Sequence, residues 1–124
     1  KKEEEKNKEE EKMSEQEYIT FDEFGKLDLR VAKVIEVERI EDSNKLLKVQ
    51  VELGDEKRQL VAGISKHYEP EELRDKKVIM IANLKPATIF GVKSNGMILA
   101  ASNDEGELTV TTVDRDIASG AKVK

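Results

Sequence analysis

The sequence predicts an all-β fold, a five-stranded barrel with a short helix between its third and fourth strands. Three observations lead there. Leu47, Val49, Val51 and Leu53 alternate with Lys48, Gln50 and Glu52, the period of a half-buried strand. Gly54-Asp55 then marks a turn, and 57–64 supplies the returning strand. Pro70-Glu71-Glu72-Leu73 places proline and acids in the first turn of a short helix, where a fixed φ and negative charge are favoured.

The remaining elements follow in order. The stretch 1–17 is almost purely Lys, Glu and Asn until Met13, cannot bury a core, and reads as a charged linker. A chain that opens on such a run suggests the linker and terminal domain of a larger protein, or a stand-alone form starting at Met13. Thr20 can cap a short N-terminal helix with Glu23 three residues on, Ile19 and Phe24 occupy the two hydrophobic-staple positions, and Gly25 suits the end. The stretch 29–37 is rich in β-branched residues and reads as the first strand. Continuous apolar runs at 78–82 and 96–101 supply the fourth and fifth, and 108–113 a sixth in a C-terminal β extension. Three strands, a helix, two strands and an extension is the order of an OB-fold barrel, whose ligands are oligonucleotides and oligosaccharides. An SH3-like barrel would give similar spacing. The domain boundaries expected are 18–103 for the barrel and 104–124 for the extension.

Composition excludes several function classes. With no cysteine there are no disulfides and no thiolate zinc sites, and His67, the sole histidine, cannot make a His-His metal pair. No apolar run approaches the ~20 residues of a membrane span, so a soluble, cytoplasmic protein is expected. Gly91-Val92-Lys93-Ser94 ends like a phosphate loop but lacks that motif's first glycine at the required spacing. No catalytic constellation, metal site or cofactor is expected.

The net charge of -5 argues against a nucleic-acid ligand until its distribution is considered. Residues 1–17 sum to -3, 18–56 to -4, 57–103 to +4 and 104–124 to -2, and between Lys76 and Asn103 there are four lysines and no acid. A phosphate backbone responds to local potential within a Debye length of about 8 Å at physiological salt, so a basic face on an acidic protein suffices.

Five strings are more specific than their periodicity: Asp28-Leu29-Arg30-Val31, Asn44-Lys45-Leu46-Leu47, Arg58-Gln59-Leu60-Val61-Ala62-Gly63-Ile64, Ala82-Asn83-Leu84-Lys85-Pro86, and Ser94-Asn95-Gly96-Met97-Ile98-Leu99-Ala100-Ala101. In that order they resemble the tRNA-binding domain at the C-terminus of bacterial and archaeal methionyl-tRNA synthetases, which also occurs as stand-alone structure-specific tRNA-binding proteins and in eukaryotic synthetase-associated factors. The resemblance covers roughly 19–124. It implies an OB fold without catalytic activity, tRNA binding largely by shape, homodimers, and a methionyl-tRNA synthetase catalytic region in cis or in trans. A bacterial secretion-chaperone branch that binds peptides shares the fold and the opening string, but departs at Asn-Lys-Leu and Gly-Met-Ile-Leu-Ala-Ala, both intact here. A purely structural dimerisation domain is the other reading.

A tRNA binder needs cations for phosphate, polar groups for sugars or base edges, and apolar surface for splayed bases. Lys45, Arg58, Lys85 and Lys93 are the candidate cations, Arg58 with bidentate capacity. Asn83 can donate and accept at once, though a turn residue bonding its own backbone looks the same. Ser94, Gly96 and Met97 open the last barrel strand, where glycine permits close backbone approach. Aromatics make up 4% of the chain, too few for an extended stacking platform, and Phe90 is the one candidate stack, with a packing role as its alternative. Leu108, Val110, Val113, Ile117 and Val123 form an apolar series expected at a dimer interface. The alternative is a tail folded over its own barrel.

Overall fold

A computed structural model describes residues 17–124; the linker expected at 1–17 lies almost entirely outside the described residues. Among the described residues, a short helix precedes three strands, and a second short helix precedes seven more. Helix α1, Phe21–Phe24, has the expected capping box: Glu23 N–H donates to Thr20 Oγ1 and Thr20 N–H to Glu23 Oε1, both at 3.0 Å. Strands β1 (Leu29–Arg39), β2 (Leu47–Leu53) and β3 (Glu56–Ala62) form an antiparallel meander, followed by helix α2 (Pro70–Leu73) and strand β4 (Lys77–Ile81). Short strands complete the fold: β5 (Ala87–Ile89), β6 (Val92–Ser94), β7 (Met97–Ile98), β8 (Ala100–Ser102), β9 (Leu108–Val110) and β10 (Lys122–Val123).

The main sheet runs β3-β2-β1-β4-β7 and curls into an OB-like barrel. The bend lies in β1. Its first half pairs with β4, from Leu29↔Ile81 to Lys33↔Lys77, and its second half with β2, with a register shift between Val34 and Glu36. A shift of that kind bends and twists a strand, letting one strand serve two walls of a barrel. The inward positions of β2 are buried and its outward ones half-buried, as the alternation requires. Val34, Leu47, Val49, Val51, Leu60, Val78 and Met80 are wholly buried, and Leu73 brings α2 into the same core.

Three features differ from the sequence reading. The apolar run at 96–101 is two strands, because Leu99 is a crossing point: its N–H donates to Ile79 O, and its carbonyl accepts from Thr111 N–H. Met97–Ile98 pairs with β4, while Ala100–Ser102 turns away to pair with β9. The stretch 87–94 is a β5–β6 hairpin around Phe90-Gly91, with φ of +51° and +75°, the signature of a two-residue type I′ turn. The tail returns to its own barrel. Val110 lies inside the core, β10 pairs with β1 at Leu29↔Val123, and Gly120 N–H donates to Val31 O at 2.7 Å. Ser119 Oγ accepts from Gly54 N–H, so the tail also crosses the β2–β3 turn.

Gly96 decides how tightly the last barrel strand packs. Its φ is +128°, and a Cβ there would stand 2.4 Å from Met80 Cε and 3.0 Å from Ile81 O. Combining backbone strain with overpacking, Gly96→Ala is expected to lower unfolding free energy by about 2–4 kcal/mol in urea denaturation. A change below about 0.5 kcal/mol would show that the strand does not sit this close.

Candidate nucleic-acid interface

Strand β3 is the free edge of the main sheet, and the chain from 82 to 97 is fastened to it largely by side chains. Ser94 Oγ accepts from Val61 N–H at 2.9 Å and donates to Gly96 O at 3.1 Å. Gln59 Nε2 donates to Lys93 O at 2.9 Å, and Gln59 O accepts from Asn95 N–H at 2.8 Å. Arg58 Nη1 donates to Ala82 O and, at 3.4 Å, to Asn95 O, while its Nε pairs with Glu56. At the far end of the strand, Ser65 N–H donates to Lys45 O at 3.0 Å. From Arg58 to Ala62 the strand rises about 13 Å, at ~3.3 Å per residue. The segments bearing Lys85 and Lys93 are thus fastened in a seam along the free edge of β3, while Lys45 stands just before β2, across the strand's other edge.

The candidate residues divide into two groups. Lys45, Lys85 and Lys93 are exposed and, among the described residues, make no ion pair. Phe90 (63% exposed) caps the β5–β6 hairpin and Met97 (45%) opens β7, so both offer apolar surface to solvent. By contrast, Asn83, Ser94 and Arg58 are engaged within the chain. Asn83 Oδ1 accepts from Asp28 N–H at 2.8 Å and Nδ2 donates to Lys26 O at 2.6 Å, joining the end of β4 to the entry of β1. Ser94 is buried with its hydroxyl used in both directions. The Arg58 side chain is only 17% exposed.

Two exposed residues escaped the sequence reading. Lys66 follows Ser65 and so adds a cation at the Lys45 end, and Leu84 stands 44% exposed between Asn83 and Lys85. The first becomes visible only through the Ser65–Lys45 backbone bond. The second lay inside a quoted string but carries no charge to mark it.

An open cleft of about 550 Å³ lies elsewhere, lined by Lys33, Asp75, Lys76, Lys77 and 112–116. Lys33 and Lys77 are cross-strand neighbours, and Asp116 reaches Lys77 Nζ at 2.7 Å. The hydrogen bond from Lys77, and then its charge, hold the Asp116 carboxyl below its ordinary range. Both signs of charge line this cleft, so it offers a polyanion less than the seam does. Among the described residues no cluster of His, Cys, Asp or Glu could hold a metal, and no helix is long and apolar enough to cross a membrane.

Of the apolar series in the tail, Val110 is in the core, Leu108 packs against the core, and Val113 and Val123 are half-buried. Only Ile117, 47% exposed, faces solvent.

Residues 29–122 match the family model described as "Putative tRNA binding domain". The chain belongs to this tRNA-binding domain family. Its members include segments of longer enzymes. The methionine–tRNA ligase of Methanocaldococcus jannaschii is 60% identical over 99 residues, 80% of this chain and 15% of that protein. The methionine–tRNA ligase of Caldanaerobacter subterraneus is 50% identical over 123 residues, 99% of this chain and 19% of that protein. The chain therefore spans less than a fifth of these relatives. Among solved structures, a MetRS-related protein from Pyrococcus horikoshii superposes with a TM-score of 0.83 at 38% identity, covering 87% of this chain and 99% of that one. A CsaA chaperone from Picrophilus torridus does so with a TM-score of 0.78 at 29% identity, covering 86% and 100%. The tRNA-binding domain is thus related to both the synthetase-linked and the CsaA proteins.

Proposed function

We propose that this domain is the appended tRNA-affinity module of a methionyl-tRNA synthetase, joined to the catalytic chain or assisting it in trans in the cytoplasm. It takes the tRNA along the β3 seam. The carrying observation is that Lys85 and Lys93, exposed and without an ion pair among the described residues, stand on segments fastened to the free edge of β3, with the equally exposed Lys45 just before the neighbouring β2. Their ammonium groups contact phosphates, while Phe90 and Met97 give flanking apolar surface to an unstacked base or a sugar face. Asn83 and Ser94, already engaged, shape the surface. With one aromatic at the seam and few groups free to read base edges, shape selects folded tRNA and identity counts for little.

The test is a titration of tRNA, unstructured RNA and single-stranded DNA of equal length across a salt series. Folded tRNA should bind best, with little difference among isoacceptors. Affinity should fall steeply with salt, and Lys45→Gln, Lys85→Gln or Lys93→Gln should each flatten the log–log slope by about 0.7–0.9. Binding insensitive to salt would overturn the phosphate contacts. Competition by an unfolded polypeptide at the same site would favour the peptide-binding reading that the CsaA likeness raises.

We also propose that the domain pairs with a second copy, which would double the tRNA-binding surface and tether the synthetase. Ile117 is the exposed remnant of the tail's apolar series, and at the N-terminal helix Tyr18 (74%), Ile19 (61%) and Phe21 (87%) stand uncovered. Deleting 106–124 would remove Val110 from the core and β10 from β1, so point changes are the sounder probe. Sedimentation at micromolar concentration should show a dimer that Ile117→Asp or Phe21→Asp converts to monomer. A monomeric parent protein at that concentration would refute the pairing.

A further inference from the structure

We infer that Arg58 is a positioning residue for tRNA binding rather than a phosphate contact: its guanidinium locks together the two segments that carry Lys85, Lys93 and Met97. The inference rests on the seam being the tRNA surface.

The first observation is where the donors go. Nε is paired with Glu56, and Nη1 reaches Ala82 O and Asn95 O, carbonyls from separate segments of the chain. Ala82 is buried just beyond the end of β4, and Asn95 sits in the gap between β6 and β7. A buried strand-end carbonyl needs a donor, and Arg58 supplies one where the backbone ladder has stopped.

The second observation is what those carbonyls control. Lys85 follows Ala82 by three residues, and Lys93 and Met97 flank Asn95 by two on either side. One planar group spanning both carbonyls fixes the spacing between the two segments. The third is electrostatic. Glu56 offsets part of the guanidinium charge and 83% of the side chain's surface is covered, so a phosphate gains less here than at the exposed lysines.

A lysine at 58 keeps the positive charge but not the planar fork, which separates the two roles. Three variants are compared in tRNA titrations across a salt series, Arg58→Lys, Arg58→Gln and Lys85→Gln, with amide hydrogen exchange on the free proteins. Arg58→Lys and Arg58→Gln should weaken tRNA binding by a similar factor, about tenfold, with the salt slope kept. The Ala82 and Asn95 amides, bonded to Asp28 O and Gln59 O, should exchange faster in both. Lys85→Gln should leave exchange unchanged and flatten the slope by about 0.7–0.9. The inference is overturned if Arg58→Lys binds within about threefold of the parent while Arg58→Gln loses that slope increment, or if neither variant alters affinity. Should Arg58→Gln fail to fold, Arg58→Lys alone decides between these outcomes. A parent protein that does not bind tRNA would sink the functional reading on its own, and unchanged exchange at Ala82 and Asn95 would still overturn the bracing separately.

Discussion

The barrel depends on how the edge of β3 is closed. A sheet edge presents unpaired N–H and C=O groups, and most barrels remove them by continuing the ladder. Here the facing segment supplies few backbone partners, and the gap is bridged by Ser94, Gln59 and Arg58. Ser94 is the most constrained of these, because its buried hydroxyl satisfies Val61 N–H and Gly96 O together. Losing it would leave a buried donor unpaired at about 1–3 kcal/mol. Gly96 belongs to the same constraint, since only a residue without Cβ can lie against Met80 and Ile81 at the required depth.

Under the proposed function, that closure doubles as the tRNA surface. The residues that fasten 82–97 to β3 use their polar atoms inward, so the exposed lysines and apolar groups on the same segments are held outward on a stiff support. Preorganised cations lose less conformational freedom on meeting a phosphate chain than lysines on a free loop would. The acidic sum of the chain does not oppose this. One of its acids, Asp116, is drawn to the cross-strand Lys33–Lys77 pair on other strands.

Much of the fold was legible in the sequence because its signals are local. The alternation in β2, the Gly54-Asp55 turn, the Thr20–Glu23 cap and the Pro70 helix start each depend on neighbours a few residues away. The split of 96–101 was not legible: Leu99 takes Ile79 and Thr111 as partners, and an apolar run reads the same whether it keeps one neighbour or exchanges it for another. The burial of Val110 was not legible for a related reason, since it alternates with threonines like a surface strand although it completes the core. At the site, the free lysines were legible from charge. The inward engagement of Arg58, Asn83 and Ser94 was not, because their distant partners stand 24 to 57 residues away.

The central claim is that the β3 seam is the tRNA surface, and residue-resolved NMR of the folded domain during tRNA addition tests it most directly. The account predicts that signals of Lys45, Lys85, Phe90, Lys93 and Met97 shift or broaden first, while those of Lys33, Lys76 and Arg115 around the mixed-charge cleft stay unperturbed. Early changes confined to that cleft, with the seam unaffected, would contradict it.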